Sequence, residues 1–129
     1  MMLKVVIAAS DGFGDYYLLE RSLDKILQNY TDIELVSLHS KSLNRIIDLY
    51  ARKREILTRR FVPNLLNHGE NAKNIVIEEV IEYASHAILF VDENEELDTV
   101  LAKIRDSGLH WRAIKYKDVL ADKLYNQKA

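Results

Sequence analysis

The chain has 129 residues, 48% of them apolar and 29% charged, with one proline and four glycines. That balance describes one domain, residues 1–129, with a sizeable core and no room for a long linker or disordered segment. A net charge of −2 gives no global basic signal for nucleic acid, and the lack of cysteine excludes disulfides, thiolate catalysis and cysteine-held metal.

The first element is a continuous apolar run, Leu3 to Ala9, broken only by Lys4. It is too short to span a membrane and unlike a signal peptide, so a soluble cytoplasmic protein is expected. An apolar run without polar alternation reads as a strand buried on both faces, which is a central parallel strand covered by helices. It stops at Ser10-Asp11-Gly12-Phe13-Gly14. Tyr16, Leu19, Leu23, Ile26, Leu27 and Tyr30 then recur at helical spacing, with Asp15 as the expected N-cap.

Thr31-Asp32 breaks that helix, and Ile33 to Ser37 reads as a second strand. Leu43, Ile46, Ile47, Tyr50 and Ala51 fit the one-face helical template completely. Leu57 to Val62 is a third strand, polar enough for an edge and ended by Pro63. Asn64 to Asn71 reads as the longest loop. Ile77, Val80, Ile81 and Ala84 mark a third helix, and Ala87 to Val91 a second fully apolar strand. Leu97, Val100, Leu101 and Ile104 mark a fourth helix, closed by Gly108. Trp111 to Tyr116 alternates like a half-exposed strand, and a last short helix is expected from Asp118 to about residue 126.

Five strands alternating with helices predict a Rossmann-like, doubly wound parallel α/β sheet with right-handed crossovers and helices on both faces. The apolar first and fourth strands belong in the middle, and the polar third and fifth at the edges. The order 3-2-1-4-5 satisfies both demands and sets the switch point between strands one and four. Ligands of open α/β sheets bind in the crevice at such a point.

Several residues at that end of the sheet could carry chemistry. The Ser10–Phe13 turn could cradle an anion with its amides and the following helix N-terminus, although Asp11 would repel a phosphate. His39, Ser40, Lys41 and Ser42 could bind an anion at the start of the second helix, although they read more simply as an ordinary serine cap with solvated neighbours. Asp92 and Glu93 open a segment with four carboxylates that could supply a general acid or base, or simply favour a helix start. His39, His68, His86 and His110 are scattered without ligand spacing, so no metal site is expected, and no cofactor. Arg52, Lys53, Arg54, Arg59 and Arg60 form the basic cluster, which reads more simply as a solvated face than as a nucleic-acid surface.

The stretch VVIAASDGFGDYYLLERSLDKIL resembles the opening of the YspA-like proteins of the SLOG superfamily, the group of Smf/DprA and LOG proteins. Their opening strand is followed by G-S-R-x-F, then D-Y and a long amphipathic helix. Here the positions read Ala9-Ser10-Asp11-Gly12-Phe13, then Asp15-Tyr16. LVSLHSKSLNRIIDLYA is similar to the strand and helix around G-G-A-R-G-A-D, and RRFVPNLLNHGENAKNIVIEEV to the F-x-A-D-W segment and R-N-x-x-M. ILFVDENEELDT is similar to a strand ending in W-D-G-x-S-x-G-T. The resemblance spans about residues 3 to 116 and implies a Rossmann-like sheet that binds a nucleotide or nucleotide-derived ligand; some members hydrolyse phosphoribosyl bonds.

The departures fall on the positions that cradle ligand in the family. The paired glycines are Leu38 and His39, and the next glycine is Ser42. The loop arginine is Lys41 and its aspartate Asn44. The Arg-Asn pair is Val76-Ile77, and the Gly-Thr after strand four is Leu97-Asp98. Side chains at the glycine positions block the close approach of phosphate to backbone amides.

The expected function is therefore a divergent, non-catalytic module for a nucleotide-related ligand, with Ser10, Asp11, Gly12, Phe13, His39, Ser40, Lys41 and Asp92 lining the crevice. The enzyme alternative is a hydrolase or transferase at an N-glycosidic or phosphoribosyl bond, with Asp92 or Glu93 as acid/base. A third alternative is a ligand-free adaptor or oligomerisation domain. Ile75, Val76 and Ile77 make one end of the third helix apolar on more sides than a single stripe needs, which predicts a homodimer or larger assembly, with collapse of the old pocket as the competing explanation.

Overall fold

The computed structural model describes residues 2–10, 12–38, 41–93 and 99–116, with Lys41 described by its backbone. The elements in order are β1 (Leu3–Ala9), α1 (Tyr16–Leu27), β2 (Ile33–Ser37), α2 (Lys41–Arg54), β3 (Leu57–Arg60), α3 (Leu65–His68), a 3₁₀ turn (Gly69–Asn71), α4 (Ala72–Tyr83), β4 (His86–Asp92), α5 (Thr99–Arg105) and β5 (His110–Tyr116). The five strands form one sheet in the order β3-β2-β1-β4-β5, and every pairing is parallel. This is the predicted Rossmann-like topology. The helix expected beyond Asp118 lies outside the described residues.

The polarity of the strands explains the order. Val5, Val6, Ile7 and Ala8 are all buried, and so are Ala87 to Asp92 of β4. Every residue of β3 is exposed, and β5 is exposed at five of its seven positions. Strands that can be wetted go to the edges, and those that cannot go to the middle.

Successive side chains on β1 point to opposite faces. Val5 and Ile7 join Leu35, Ile88 and Phe90 on the face covered by Leu19, Leu23 and Leu27 of α1 and by Leu43, Ile46, Ile47 and Tyr50 of α2. Val6 and Ala8 join Val36, Ala87, Leu89 and Val91 on the face covered by Val80 of α4 and by Leu101 and Ile104 of α5. The chain thus changes faces between β3 and β4, and the switch point falls between neighbouring strands β1 and β4.

The turn after β1 is closed by the Phe13 N–H, which donates to the Ser10 carbonyl at 3.2 Å. Gly12 has φ of +83° there, a conformation that a side chain would strain. Phe13 itself is 2% exposed. Its ring stacks on Phe90 at 4.7 Å between centroids and tilts against Tyr116 at 4.9 Å. Asp15 caps α1 as expected, its carboxylate accepting from the Leu18 N–H at 3.1 Å.

Two details differ from the sequence reading. The stretch 64–71, read as loop, contains α3 and the 3₁₀ turn. Asn64 caps α3 by accepting from the Asn67 N–H at 3.2 Å, and Gly69 ends it at a φ of +53°. No residue of α3 is buried, so no core-facing periodicity announces it. Strand β3 stops at Arg60 instead of Val62, although the Phe61 N–H still donates to the Ser37 carbonyl at 2.9 Å. Val76 and Ile77 are both buried within the chain, so neither needs a second subunit to cover it.

The basic cluster is largely neutralised. Arg54 reaches Asp24 at 2.8 Å, Lys53 reaches Glu20 at 3.5 Å, and Arg60 reaches Asp48 at 2.9 Å. Arg59 lies over the rings of Phe61 and Tyr83. Such pairing and stacking leave little free positive charge to meet a phosphate backbone.

The Asp24 site also makes stability depend on pH. Hydrogen bonds from Arg54, and then from the Tyr50 hydroxyl at 2.7 Å, hold the Asp24 carboxyl below the usual range, against an opposing effect of burial. A carboxylate depressed in the folded state stabilises above its unfolded value of roughly 3.9 and loses that contribution as pH falls through the folded value. Asp24→Asn should therefore lower stability at neutral pH by a few tenths to about 1 kcal/mol, since the pair is partly exposed. The gap to wild type should close in urea titrations run progressively below about pH 4. Phe13→Ala should cost about 3–5 kcal/mol in the same assay, because it empties a stacked, buried ring position.

Candidate crevice at the carboxyl ends of the strands

β1, β2 and β4 deliver their carboxyl ends to one edge of the sheet, where α1 and α2 begin. Ser10 and Asp92 meet there, both buried. The Ser10 N–H donates to the Phe90 carbonyl at 2.9 Å, and the Ser10 hydroxyl accepts from the Asp92 N–H at 3.1 Å. One serine therefore ties the ends of β1 and β4 together through both its backbone and its side chain. The Glu93 N–H in turn donates to the Tyr116 carbonyl at 2.8 Å, joining β4 to β5.

The expected site residues are distributed unevenly about this edge. Ser10, Gly12 and Asp92 stand at the switch point. Phe13 follows in the same turn, but its ring is committed to the core. Lys41 is the first residue of α2. Asp11, His39 and Ser40 lie outside the described residues. Leu38, at one of the family's glycine positions, packs against the core on the α4 and α5 face. With Val76 and Ile77 also buried, apolar side chains occupy positions where the family resemblance places glycine, arginine and asparagine.

Asp92 and Glu93 also border a cavity of about 560 Å³ that runs along β4 and β5. Leu89, Val91, Trp111 and Ala113 supply much of its wall, with Arg105 and Lys115 as cations. That volume is in the usual range for small-molecule sites. Two carboxyl groups beside two cations can bind a polar molecule or move a proton, so the same geometry serves a binding site and an acid/base centre.

Asn44 is a buried polar residue that sequence reasoning did not single out as a ligand-binding candidate. It lies in the first turn of α2 and is 6% exposed. Its side-chain carbonyl oxygen is buried and has no hydrogen-bond partner among the described residues. A buried acceptor left unpaired costs about 1–3 kcal/mol, so it is rare where no ligand or water completes it. The signal available in the sequence is Asn44's position at the aspartate of the family pattern. Among the described residues no group of histidine and acidic side chains is arranged to hold a metal ion.

A five-stranded, all-parallel α/β sheet in this order defines a Rossmann-like domain. The profile of the YspA, cpYpsA-related SLOG family matches residues 3–68, from β1 through α3 and just over half of the chain. The protein belongs to that family, and the membership supports a ligand-binding or nucleotide-related module at the family level. No curated protein and no solved structure matches the chain significantly. Among the described residues no helix is long and apolar enough to cross a membrane.

The Ser10 link can be tested directly. Ser10→Ala leaves the Asp92 N–H without its acceptor in a buried place and should destabilise by about 1–3 kcal/mol. Amide hydrogen exchange should quicken at Asp92 and Glu93 while the β1–β2 ladder stays protected.

Proposed function

We propose that the protein is a non-catalytic binding module whose crevice takes a nucleoside-like ligand by its sugar or base instead of cradling its phosphate. The observation that carries this reading is the buried carbonyl oxygen of Asn44, without a hydrogen-bond partner among the described residues, in the first turn of the helix that starts at the carboxyl end of β2. An acceptor in that state is completed by a ligand hydroxyl or amino group, and nucleosides offer both. The family's glycine loop would recognise phosphate through open backbone, and Leu38 and His39 put side chains at those positions. Val76 and Ile77 supply no guanidinium for a bidentate phosphate contact.

The hydrolase alternative needs Asp92 or Glu93 to face a bound glycosidic bond. Asp92 is buried, with its backbone held by Ser10, which suits a fixed recognition group more than a carboxyl that must exchange protons with water.

Small molecules released from the purified protein, identified by mass spectrometry, should include a nucleoside-like species. In isothermal titration that nucleoside and its monophosphate should bind with affinities within a few-fold of each other. Asn44→Leu should weaken both by about tenfold or more, the equivalent of one hydrogen bond of about 1.4 kcal/mol. The same variant should melt at the same temperature or higher, because it removes an unsatisfied acceptor. Release of free base or ribose phosphate on incubation, abolished by Asp92→Asn, would replace this reading with the hydrolase.

A further inference from the structure

The amino-terminal edge of the sheet, opposite the crevice, carries a second cavity of about 360 Å³. Its floor comes from Leu3 and Val5 of β1 and Ile88 of β4, and α1 forms one wall. The polar groups around it are Lys25 and Tyr30 from the α1 side, His86 at the start of β4, and His110 and Arg112 from β5. Among the described residues no acidic side chain lines it. Two other cavities are mixed in charge: one holds Asp24, Arg54 and Glu55, the other Asp92, Glu93, Arg105 and Lys115. A wall bearing cations alone is unexpected on a chain whose net charge is −2.

Strand register explains how the charges come together. His86 pairs with His110 and Ile88 with Arg112, while Val5 pairs with His86. All of these residues therefore project from one face, the face of α1, and the two imidazoles stack at 5.3 Å between ring centroids. Lys25 and Arg112 form no ion pair among the described residues, unlike Lys53, Arg54 and Arg60 on the same molecule. Two unpaired cations, two stacked imidazoles and a tyrosine ring around an apolar floor are complementary to an anionic group attached to a flat apolar body.

We propose that this cavity is a second ligand site, distinct from the carboxyl-end crevice, and that it takes a small aromatic anion with Lys25 and Arg112 holding the charge. The ring of the ligand lies over the floor from β1 and β4, with Tyr30 and the imidazole pair at its sides. Arg112 contributes a planar fork suited to a carboxylate or phosphate, and Lys25 a mobile point charge on the opposite wall.

The histidines furnish an internal reporter. Burial, and then the neighbouring His110, lower the pKa of His86, so without a ligand it takes up its proton below the ordinary histidine range. The groups facing it are His110 and Arg112 on β5, Lys25 and Tyr30 on the α1 side, and the Ser85 hydroxyl at 2.9 Å from Nδ1. None of these is an acid, so among the described residues nothing offsets the accumulated positive charge. A bound anion would do so, and by reciprocity the proton must then bind more tightly too.

Proton NMR titration of the full-length protein with phenyl phosphate tests the site, following the Cε1 protons of His86 and His110. Both signals should shift together and saturate, and His86 should titrate at higher pH with the ligand than without it. Benzyl alcohol, which lacks the charge, should leave both signals in place. The double substitution Lys25→Gln with Arg112→Gln should weaken phenyl phosphate about tenfold or more while leaving the unfolding midpoint unchanged, since both side chains are exposed. Asn44→Leu should not alter this binding, which separates the site from the crevice. The proposal is overturned if the histidine signals do not saturate, if benzyl alcohol moves them equally, or if the double variant binds as wild type does.

Discussion

Burial of β1 on both faces is the constraint on which the rest of the structure depends. Val5 and Ile7 must be covered from one side, and Val6 and Ala8 from the other. A strand in that position needs hydrogen-bonded neighbours along both edges, because no water reaches its amides. Those neighbours are β2 and β4, and each is parallel to it, so the connections must cross over as helices. Right-handed crossovers moving left from β1 place α1 and α2 on one face, and those moving right place α4 and α5 on the other. The crevice at the switch point follows from that arrangement before any polar residue is considered.

Ser10 shows how the polar end of the sheet is reconciled with the apolar strands beneath it. The turn has to leave β1 at a point still buried, where an unpaired amide would be costly. Ser10 resolves this by donating to Phe90 and accepting from Asp92, while the next ring, Phe13, turns back into the core. Asn44 stands in contrast, with an acceptor that no described residue completes.

The two ends of the sheet differ in character. At the carboxyl end, apolar side chains occupy positions that the family resemblance gives to glycine and to polar groups, and the charged residues near the larger cavity are of both signs. In the cavity beneath β1, β4 and β5 at the amino end, the charges on the described lining residues are of one sign, and they arise where strand starts lie side by side. Edge strand β5 contributes to both, because its alternate residues reach opposite faces of the sheet. Arg112 joins the cationic cavity on one face, and Ala113 and Lys115 border the larger cavity.

The sequence by itself determined the sheet order, the covering of both faces and the switch point, since all three depend on which strands can be wetted, and that is legible in each strand's composition. The Asp15 cap and the Gly12 turn were legible for a similar reason, being set within a few residues of chain. Helix α3 was not, because it buries nothing and so leaves no periodic trace. Only the tertiary structure decided that Phe13 fills the core, that Val76 and Ile77 are covered within one chain, and that Asn44 is buried without a partner among the described residues. It alone joined His86 to His110, which are remote in sequence and meet through the register of β4 on β5. Strand identity is encoded locally, but register and the partners of a buried polar atom are properties of the whole packed chain.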